Sequence, residues 1–275
     1  KLPEAKVYHA ICTGYAGLLL ARANIEKQRP CIITEHGIYT NERRIEIASA
    51  EWLNDQKSLD FKVEKSFIEK SLRDFWIDSF VSYSQICYQA CSHIITLYEG
   101  NTNFQIADGA DPKKISVIPN GIDYEKFSKI KRNNYHPPTI ALIGRVVPIK
   151  DVKTFIAAVG LLKERIKDLK VLILGPRDED KEYYESCLEL VKHSNLQNTI
   201  EFTGQVNLMD YLGKIDCIVL TSISEAQPLV ILEAGAAGIP AIVTNVGACP
   251  EIINGSRIEK PNLGKAGEIC ELANP

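Results

Sequence analysis

The sequence lacks paired cysteines, and this absence argues against a disulfide framework or a structural metal site. Its eight cysteines are spread singly along the chain, and none forms Cys-x-x-Cys. Cys87 and Cys91 have a spacing that two metal ligands could share, but only His93 lies near enough to extend the set. Buried apolar thiols in a reducing compartment are therefore the favoured interpretation. We expect a cytoplasmic protein without structural disulfides.

Long apolar runs and an excess of positive charge are also missing. No run approaches the roughly 20 apolar residues that span a bilayer, and residues 1–4 do not begin a secretory signal. The formal net charge is −3, so the chain carries no broad basic field of the kind that binds nucleic acid. A nucleic-acid partner is not expected.

What is present is an alternation of short apolar runs with helical patterns. The chain has 275 residues, of which 45% are hydrophobic, which is typical of one large or two ordinary globular domains. Alternating strands and helices predict an α/β fold with parallel sheets. The predicted strands span 7–11, 31–34, 94–97, 115–118, 139–143, 170–174, 199–203, 217–221, 241–244 and 267–271. Residues 48–98 have a mainly helical pattern.

A segment rich in Lys, Asn and Pro, residues 124–138, predicts a linker between two domains. We place an N-terminal domain at 1–129 and a C-terminal domain at 130–275. The first strand starts almost at residue 1, whereas a Rossmann-type half usually has several strands before this point. We therefore expect the N-terminal domain to be incomplete and the chain to be truncated at both ends.

Two carboxylates follow the predicted strand 217–221. Glu225 lies in a small polar loop, Pro228 then opens a helix, and Glu233 lies within that helix. On a continuous helix their spacing would put both near one face. The helix is apolar almost all round, as a buried helix is, and a buried carboxylate is costly unless it is hydrogen-bonded. This pattern favours a functional Glu233 over an exposed one on the wet side.

A second polar cluster follows the predicted strand 139–143. Gly144 lets a ligand approach the backbone, Arg145 offers a planar fork, and Lys150 offers a point charge. A helix that begins near Asp151 adds an anion-binding N-terminus. Together these groups predict a diphosphate site. The alternative is an Arg and a Lys solvated on a surface loop.

The run from Glu225 through Glu233 to Ala-x-x-x-Gly-Ile-Pro-Ala resembles the donor-sugar motif of retaining glycosyltransferases of family 4. This resemblance covers nearly the whole chain. It implies the GT-B fold, in which two Rossmann-like α/β domains face each other across a cleft. It also implies that Glu225 contacts the hexose of a nucleotide-sugar and that Glu233 holds the ribose. Gly144, Arg145 and Lys150 then form the diphosphate clamp. Further donor-site residues expected from the resemblance are Arg177 and Val206 near the base, with Leu229 and Val230.

A third segment, Thr-Glu-His-Gly-Ile-Tyr-x-x-Glu-Arg-Arg-Ile-Glu-Ile at 34–47, resembles the PelF-like branch of that family, which serves Pel exopolysaccharide synthesis. By this resemblance His36 faces the donor sugar and acts in catalysis with Arg145, Lys150 and Glu225. Taken alone, His36 could also be a plain turn residue before Gly37.

The resemblance implies a hexosyltransferase that moves glucose from UDP-glucose onto a growing polysaccharide. It implies no metal and no cofactor, because the nucleotide-sugar is a substrate. The implied partners are the nucleotide-sugar, a glycan acceptor and an inner-membrane polysaccharide export complex. Two alternatives stay open. One is another GT-B nucleotide-sugar enzyme, either an epimerase or a phosphorylase, and the other is a nucleotide-sugar-binding module without turnover.

Overall fold

A computed structural model describes residues 2–50, 71–133, 136–255 and 267–271. The chain divides into two units, Lys1–Pro119 and Asn120–Pro275. The part of the predicted helical stretch at 51–70, with Trp52, Phe61 and Phe67, lies outside the described residues. None of the helices within the described ranges combines the length and apolarity that crossing a bilayer requires.

The first unit contains a four-stranded parallel sheet in the order β1-β2-β3-β4. Its strands are β1 (Tyr8–Ala10), β2 (Cys31–Glu35), β3 (His93–Thr96) and β4 (Ile115–Val117). Its helices are α1 (Tyr15–Lys27), α2 (Tyr39–Ser49), α3 (Leu72–Ala90) and α4 (Glu99–Ala107). The strands predicted for this half are confirmed. Helix α3 begins at a capping box, in which Ser71 and Asp74 each accept a hydrogen bond from the other's backbone N–H.

A buried carboxylate lies at the end of β2 in this unit. Glu35 is fully buried, and its Oε2 accepts hydrogen bonds from the Tyr88 hydroxyl at 2.6 Å and from Gln105 Nε2 at 2.8 Å. Thr13 Oγ1 donates to Oε1 at 3.1 Å. Burial raises the pKa of the Glu35 carboxyl, and these hydrogen bonds only partly offset that rise. The network links β2 to α3, α4 and the loop after β1.

The second unit contains a six-stranded parallel sheet in the order β10-β9-β8-β5-β6-β7. Its strands are β5 (Thr139–Ile143), β6 (Lys170–Leu174), β7 (Ile200–Gly204), β8 (Cys217–Leu220), β9 (Ala241–Thr244) and β10 (Gly267–Cys270). Its helices are α5 (Tyr124–Ser128), α6 (Val152–Arg165), α7 (Lys181–His193), α8 (Met209–Leu212), α9 (Leu229–Ala236) and α10 (Cys249–Asn254). All six strands match the sequence-based expectation.

The expected linker 124–138 is partly wrong, because it contains α5. Asp123 caps this helix by accepting a hydrogen bond from the Lys126 N–H at 3.1 Å. Phe127 is buried in the core that also holds Ile231 of α9. The boundary between the two units therefore falls after Pro119 rather than after residue 129.

Both faces of the second sheet are covered. On one face Phe127, Leu212, Ile231 and Ile253 pack together, and on the other Phe155, Ile156, Cys187 and Val191 do so. Strands that are buried on both faces read as continuous apolar runs. The inner strands β6 and β8 are of this kind, whereas the edge strands β7 and β10 include polar, partly exposed positions.

The strand order of this sheet reverses at β5. This strand pairs with β6 on one side and with β8 on the other. Chain segments that leave the carboxyl ends of two such neighbours diverge, and the crevice between them is where open α/β sheets bind ligands. Lys150 follows β5 and Glu225 follows β8, so both lie at this switch point.

Candidate active site

The centre of the site is an ion pair between Lys150 and Glu225. Lys150 Nζ donates to Glu225 Oε1, and only 17% and 9% of the two side chains are exposed. Ser222 Oγ donates to the same carboxylate oxygen at 2.6 Å. Because the pair is largely desolvated, its geometry matters far more than that of a surface ion pair.

Hydrogen bonds to backbone carbonyls hold together the two loops that carry Lys150 and Glu225. The Thr221 hydroxyl donates to the carbonyl oxygens of Lys150 at 3.1 Å and Asp151 at 2.9 Å. The Ile223 N–H donates to the Ile149 carbonyl at 2.9 Å. The segments after β5 and β8 are therefore fixed to each other at the switch point, and the ion pair is preorganised.

A third loop, after β9, packs directly against Glu225. Thr244 Oγ1 donates to the Ser222 carbonyl at 2.6 Å, and the Ala248 N–H donates to the Ala226 carbonyl at 2.8 Å. Gly247 has φ +54°, and a Cβ at this position would lie 2.0 Å from the Glu225 carbonyl oxygen. Only glycine allows this approach.

Replacing Gly247 with alanine is expected to lower the free energy of unfolding of the second unit by about 2–4 kcal/mol, since it adds backbone strain and a steric clash. The loss of stability is measured by urea unfolding followed by circular dichroism. Tryptophan fluorescence would not report on the second unit, because both tryptophans lie in the first. The control is Gly160→Ala on α6, where a Cβ meets nothing within 4 Å. A Gly247→Ala protein as stable as the wild type would contradict the tight contact with Glu225.

Beside the ion pair lies a pocket of about 230 Å³ at the carboxyl ends of β5, β6 and β7. Gly144, Arg145 and Val206 all line it, so the structure brings these predicted donor-site residues together. Gly175 is also in the wall, and a Cβ there would lie 2.0 Å from the Gly144 carbonyl oxygen. The two loops can approach each other this closely only because residue 175 has no side chain.

Arg145 is exposed and engaged on the surface. Its guanidinium donates to Glu179 at 2.6 Å, and about half of each side chain is exposed. Such an exposed pair contributes little free energy, so an incoming anion can compete for Arg145. Glu179 belongs to Asp178-Glu-Asp180, and Asp180 caps α7 by accepting from the Tyr183 N–H at 2.9 Å. In the described ranges, His, Cys, Asp and Glu side chains form no cluster suited to a metal ion.

Helix α9 carries three predicted donor-site residues. Glu225 precedes the helix, which begins at Leu229, and Glu233 lies within it, as predicted, so the two carboxylates do not share one helical face. Glu233 is partly buried, and burial raises the pKa of its carboxyl while Lys126 lowers it. The carboxyl makes no hydrogen bond within the described part of the chain. Leu229 is exposed, and Val230 is partly buried.

The two remaining predicted site residues are Arg177 and His36. Arg177 donates to the Tyr184 hydroxyl at 3.1 Å and to the Phe202 carbonyl at 3.3 Å, and it does not line the 230 Å³ pocket. His36 belongs to the first unit, where it is exposed in the loop between β2 and α2. The roles expected of His36 and Arg177 stay predictions.

The sequence did not reveal the hydroxyl groups that support the site. Ser222, Thr221 and Thr244 each make a hydrogen bond that fixes Glu225 or its loop. The spacing of Ser222 and Glu225 is a usable signal. A Ser three residues before a Glu is the spacing of a capping box, in which each side chain reaches the other's backbone N–H, and at this spacing the two side chains can also bond directly, as they do here.

Two family models match the chain. Residues 123–260 match "Glycosyl transferases group 1", and residues 1–113 match a domain of unknown function, DUF3492. The first match covers just over half of the 275 residues.

Curated relatives match half of the chain or more. A UDP-Gal:alpha-D-GlcNAc-diphosphoundecaprenol alpha-1,3-galactosyltransferase of Escherichia coli is 34% identical over 155 residues, 50% of this chain and 38% of the relative. A D-inositol 3-phosphate glycosyltransferase of Paenarthrobacter aurescens is 29% identical over 165 residues, 54% of this chain and 39% of the relative. An MMP alpha-(1->4)-mannosyltransferase of Mycolicibacterium hassiacum is 24% identical over 96% of this chain and 56% of the relative. The chain thus spans between a third and three fifths of these relatives.

Solved structures share the fold. HepE of Anabaena, in complex with UDP and glucose, superposes with a TM-score of 0.72 at 16% identity, over 97% of this chain and 64% of HepE. A sucrose-phosphate synthase of Thermosynechococcus elongatus gives 0.72 at 16% identity, over 98% of this chain and 61% of the synthase. The α/β architecture with parallel sheets matches that of GT-B glycosyltransferases.

Proposed function

The chain belongs to the group 1 glycosyl transferases, and on that premise we propose that it is a retaining hexosyltransferase that uses UDP-glucose. The observation that carries this proposal is the desolvated pair of Lys150 and Glu225 at the switch point of the second sheet. An amine and a carboxylate held there suit an activated sugar, which has a charged diphosphate at one end and hydroxyl groups at the other.

The free atoms of the ion pair support this assignment. Both hydrogen bonds to the Glu225 carboxylate fall on Oε1, and within the described residues Oε2 accepts none. Oε2 can therefore accept a hydrogen bond from a sugar hydroxyl. Lys150 has three N–H donors, and Glu225 takes one of them. The other two are available to the oxygens of a diphosphate.

Further positive potential lies beside Lys150. Helix α6 begins at Val152, directly after its cap Asp151, and the positive end of the helix dipole there favours an anion. Arg145, in the wall of the adjacent pocket, can exchange Glu179 for a phosphate. In this proposal Gly144, Arg145 and Val206 hold the nucleotide, and Glu233, Leu229 and Val230 contact its ribose side.

The proposed reaction is a substitution at the anomeric carbon. The bond from C1 to the diphosphate oxygen breaks, an acceptor hydroxyl oxygen bonds to C1 on the same face, and the departing phosphate oxygen takes the acceptor's proton. UDP and the lengthened glycan leave. Charge builds up on the diphosphate as the C1–O bond breaks, so electrostatic stabilisation by Lys150 and Arg145 is the main contribution of the protein.

Glucose and UDP are proposed because HepE, which shares the fold, was solved with both. A growing polysaccharide is proposed as the acceptor because residues 34–47 resemble the PelF-like branch of the family. His36, which lies in this segment, is proposed to act at the donor sugar. The cytoplasmic location and a membrane export complex as partner stay predictions.

The test is to incubate the purified protein with UDP-, GDP- and ADP-glucose, with and without glycan acceptors, and to follow nucleotide release and the anomeric configuration of the product. We expect UDP release that depends on acceptor and a product with retained configuration. Binding of UDP without release would favour a binding module. Conversion of the UDP-sugar without transfer would indicate an epimerase, and glycan cleavage by orthophosphate would indicate a phosphorylase.

A further inference from the structure

A second pocket, of about 370 Å³, is walled by four lysines: Lys126, Lys129, Lys131 and Lys214. It shares no lining residue with the 230 Å³ pocket beside Gly144. The lysines come from segments that precede β5 and β8, so the pocket lies toward the amino ends of these strands, whereas the Lys150–Glu225 pair follows their carboxyl ends. We propose that this lysine pocket binds a diphosphate-bearing ligand at a site separate from the donor site.

The charges in the lysine pocket are largely uncompensated. Among the residues that the structure describes, Asp210 is the one acidic residue in its wall. Lys129 pairs with Glu125 at 3.6 Å, but at least three quarters of each side chain is exposed, so the pair is weak. Lys126, Lys131 and Lys214 form no ion pair with any residue that the structure describes, and Lys126 acts only at longer range on Glu233, whose pKa it lowers. An acidic chain of net charge −3 thus lines one cavity with four lysines, and a cavity lined mostly by one sign of charge attracts the opposite ion.

The backbone that carries these lysines is held in place. A Cβ on Gly213 would lie 2.7 Å from the Lys131 carbonyl oxygen, and the Asn133 N–H donates to the Gly213 carbonyl at 2.8 Å. Arg132, which lies between Lys131 and Asn133 in the sequence, donates to the Gly238 carbonyl at 3.0 Å and to Asp216 at 3.4 Å. The segment of Lys131 is therefore fixed against the turn of Lys214, and the pocket exists before any ligand arrives.

Size and chemistry together select the ligand class. Ammonium groups bind phosphate oxygens as point charges, and four of them suit a group with several negative oxygens. A cavity of about 370 Å³ admits a diphosphate with a sugar or a short lipid stem, and it is small beside a nucleic-acid duplex. The diphosphate could belong to a soluble phosphorylated compound or to a lipid headgroup. This inference does not rest on the proposed transfer reaction.

The experiment is a calorimetric titration of the protein with inorganic diphosphate after the donor site has been saturated with UDP. We expect a further binding event that weakens as salt rises. The double variant Lys131→Ser, Lys214→Ser is expected to weaken it by at least about tenfold, because two charge-assisted contacts are lost. The matched control, Lys181→Ser with Lys192→Ser, removes the same charge from exposed positions on α7 and should leave the binding intact.

A second arm distinguishes the two sources of the diphosphate. The protein is sedimented with neutral phosphatidylcholine vesicles that contain or lack a lipid diphosphate. Sedimentation that needs the lipid diphosphate and is lost in the Lys131, Lys214 variant assigns the site to a lipid headgroup. Binding of free diphosphate alone assigns it to a soluble ligand. The proposal is overturned if neither form binds after UDP saturation, or if the control variant weakens binding as much as the test variant.

Discussion

Replacing Lys150 with alanine is expected to lower kcat by about a hundredfold or more, the range for removal of one preorganised electrostatic group. The Lys150 side chain is only 17% exposed and its ammonium is bound to Glu225, so water cannot readily take its place. In the proposed reaction the diphosphate then leaves with less of its charge neutralised, and the Glu225 carboxylate keeps the hydrogen bond from Ser222. The measurement is single-turnover transfer from UDP-glucose at saturating donor.

Arg145→Ala provides the graded comparison. Half of the Arg145 side chain is exposed, and its pair with Glu179 is open to solvent, so we expect a smaller loss, about tenfold in kcat. The matched control is Lys153→Ala, which removes an exposed lysine of α6 whose ammonium lies over the ring of Tyr183 on α7. Turnover that stays near the wild-type value in both Lys150→Ala and Arg145→Ala would remove the cations from the mechanism.

The strands of both units could be predicted from the sequence because packing and local pattern agree there. A strand buried on both faces is apolar along its buried length, and residues 171–174 of β6 form such a run. Helices α2 and α5 were missed for the opposite reason. Each is polar over most of its length, and α5 is held mainly by the single buried Phe127.

The candidate site could be predicted only as separate pieces. Lys150 and Glu225 are 75 residues apart in the chain, and nothing local to either one says that they touch. Their contact depends on β5 lying beside β8, which is a property of strand order. The same limit applies to Glu35, whose partners Tyr88 and Gln105 lie 53 and 70 residues further along the chain.

The largest expected effect on stability comes from Glu35→Ala. The change leaves the Tyr88 hydroxyl, the Gln105 amide and the Thr13 hydroxyl without their acceptor in a buried site. Each unsatisfied buried group costs about 1–3 kcal/mol, so we expect the free energy of unfolding of the first unit to fall by about 3–5 kcal/mol. Both tryptophans lie in this unit, so tryptophan fluorescence in a urea titration reports its unfolding alone.

Glu35→Gln separates the charge of this residue from its hydrogen bonds. The amide oxygen can still accept from Tyr88 and Gln105, and the amide N–H can donate to the Thr13 hydroxyl. Because burial raises the pKa of Glu35 in the folded state above its ordinary 4.5, the folded protein holds this proton at pH values where the unfolded chain has released it. The wild type therefore loses stability as pH rises from the unfolded value through the folded one. The glutamine variant has no such loss.

The free energy of unfolding of Glu35→Gln relative to wild type should accordingly increase with pH across that window and stay level below it. A series of urea titrations at different pH values, followed by tryptophan fluorescence, measures the difference directly. Glu26→Gln is the control, since it makes the same substitution in the same unit at a residue whose pair with Arg22 on α1 is exposed and contributes little free energy. A difference for Glu35→Gln that does not change with pH would mean that the carboxyl titrates alike in the folded and unfolded chain, and burial would then not control its charge.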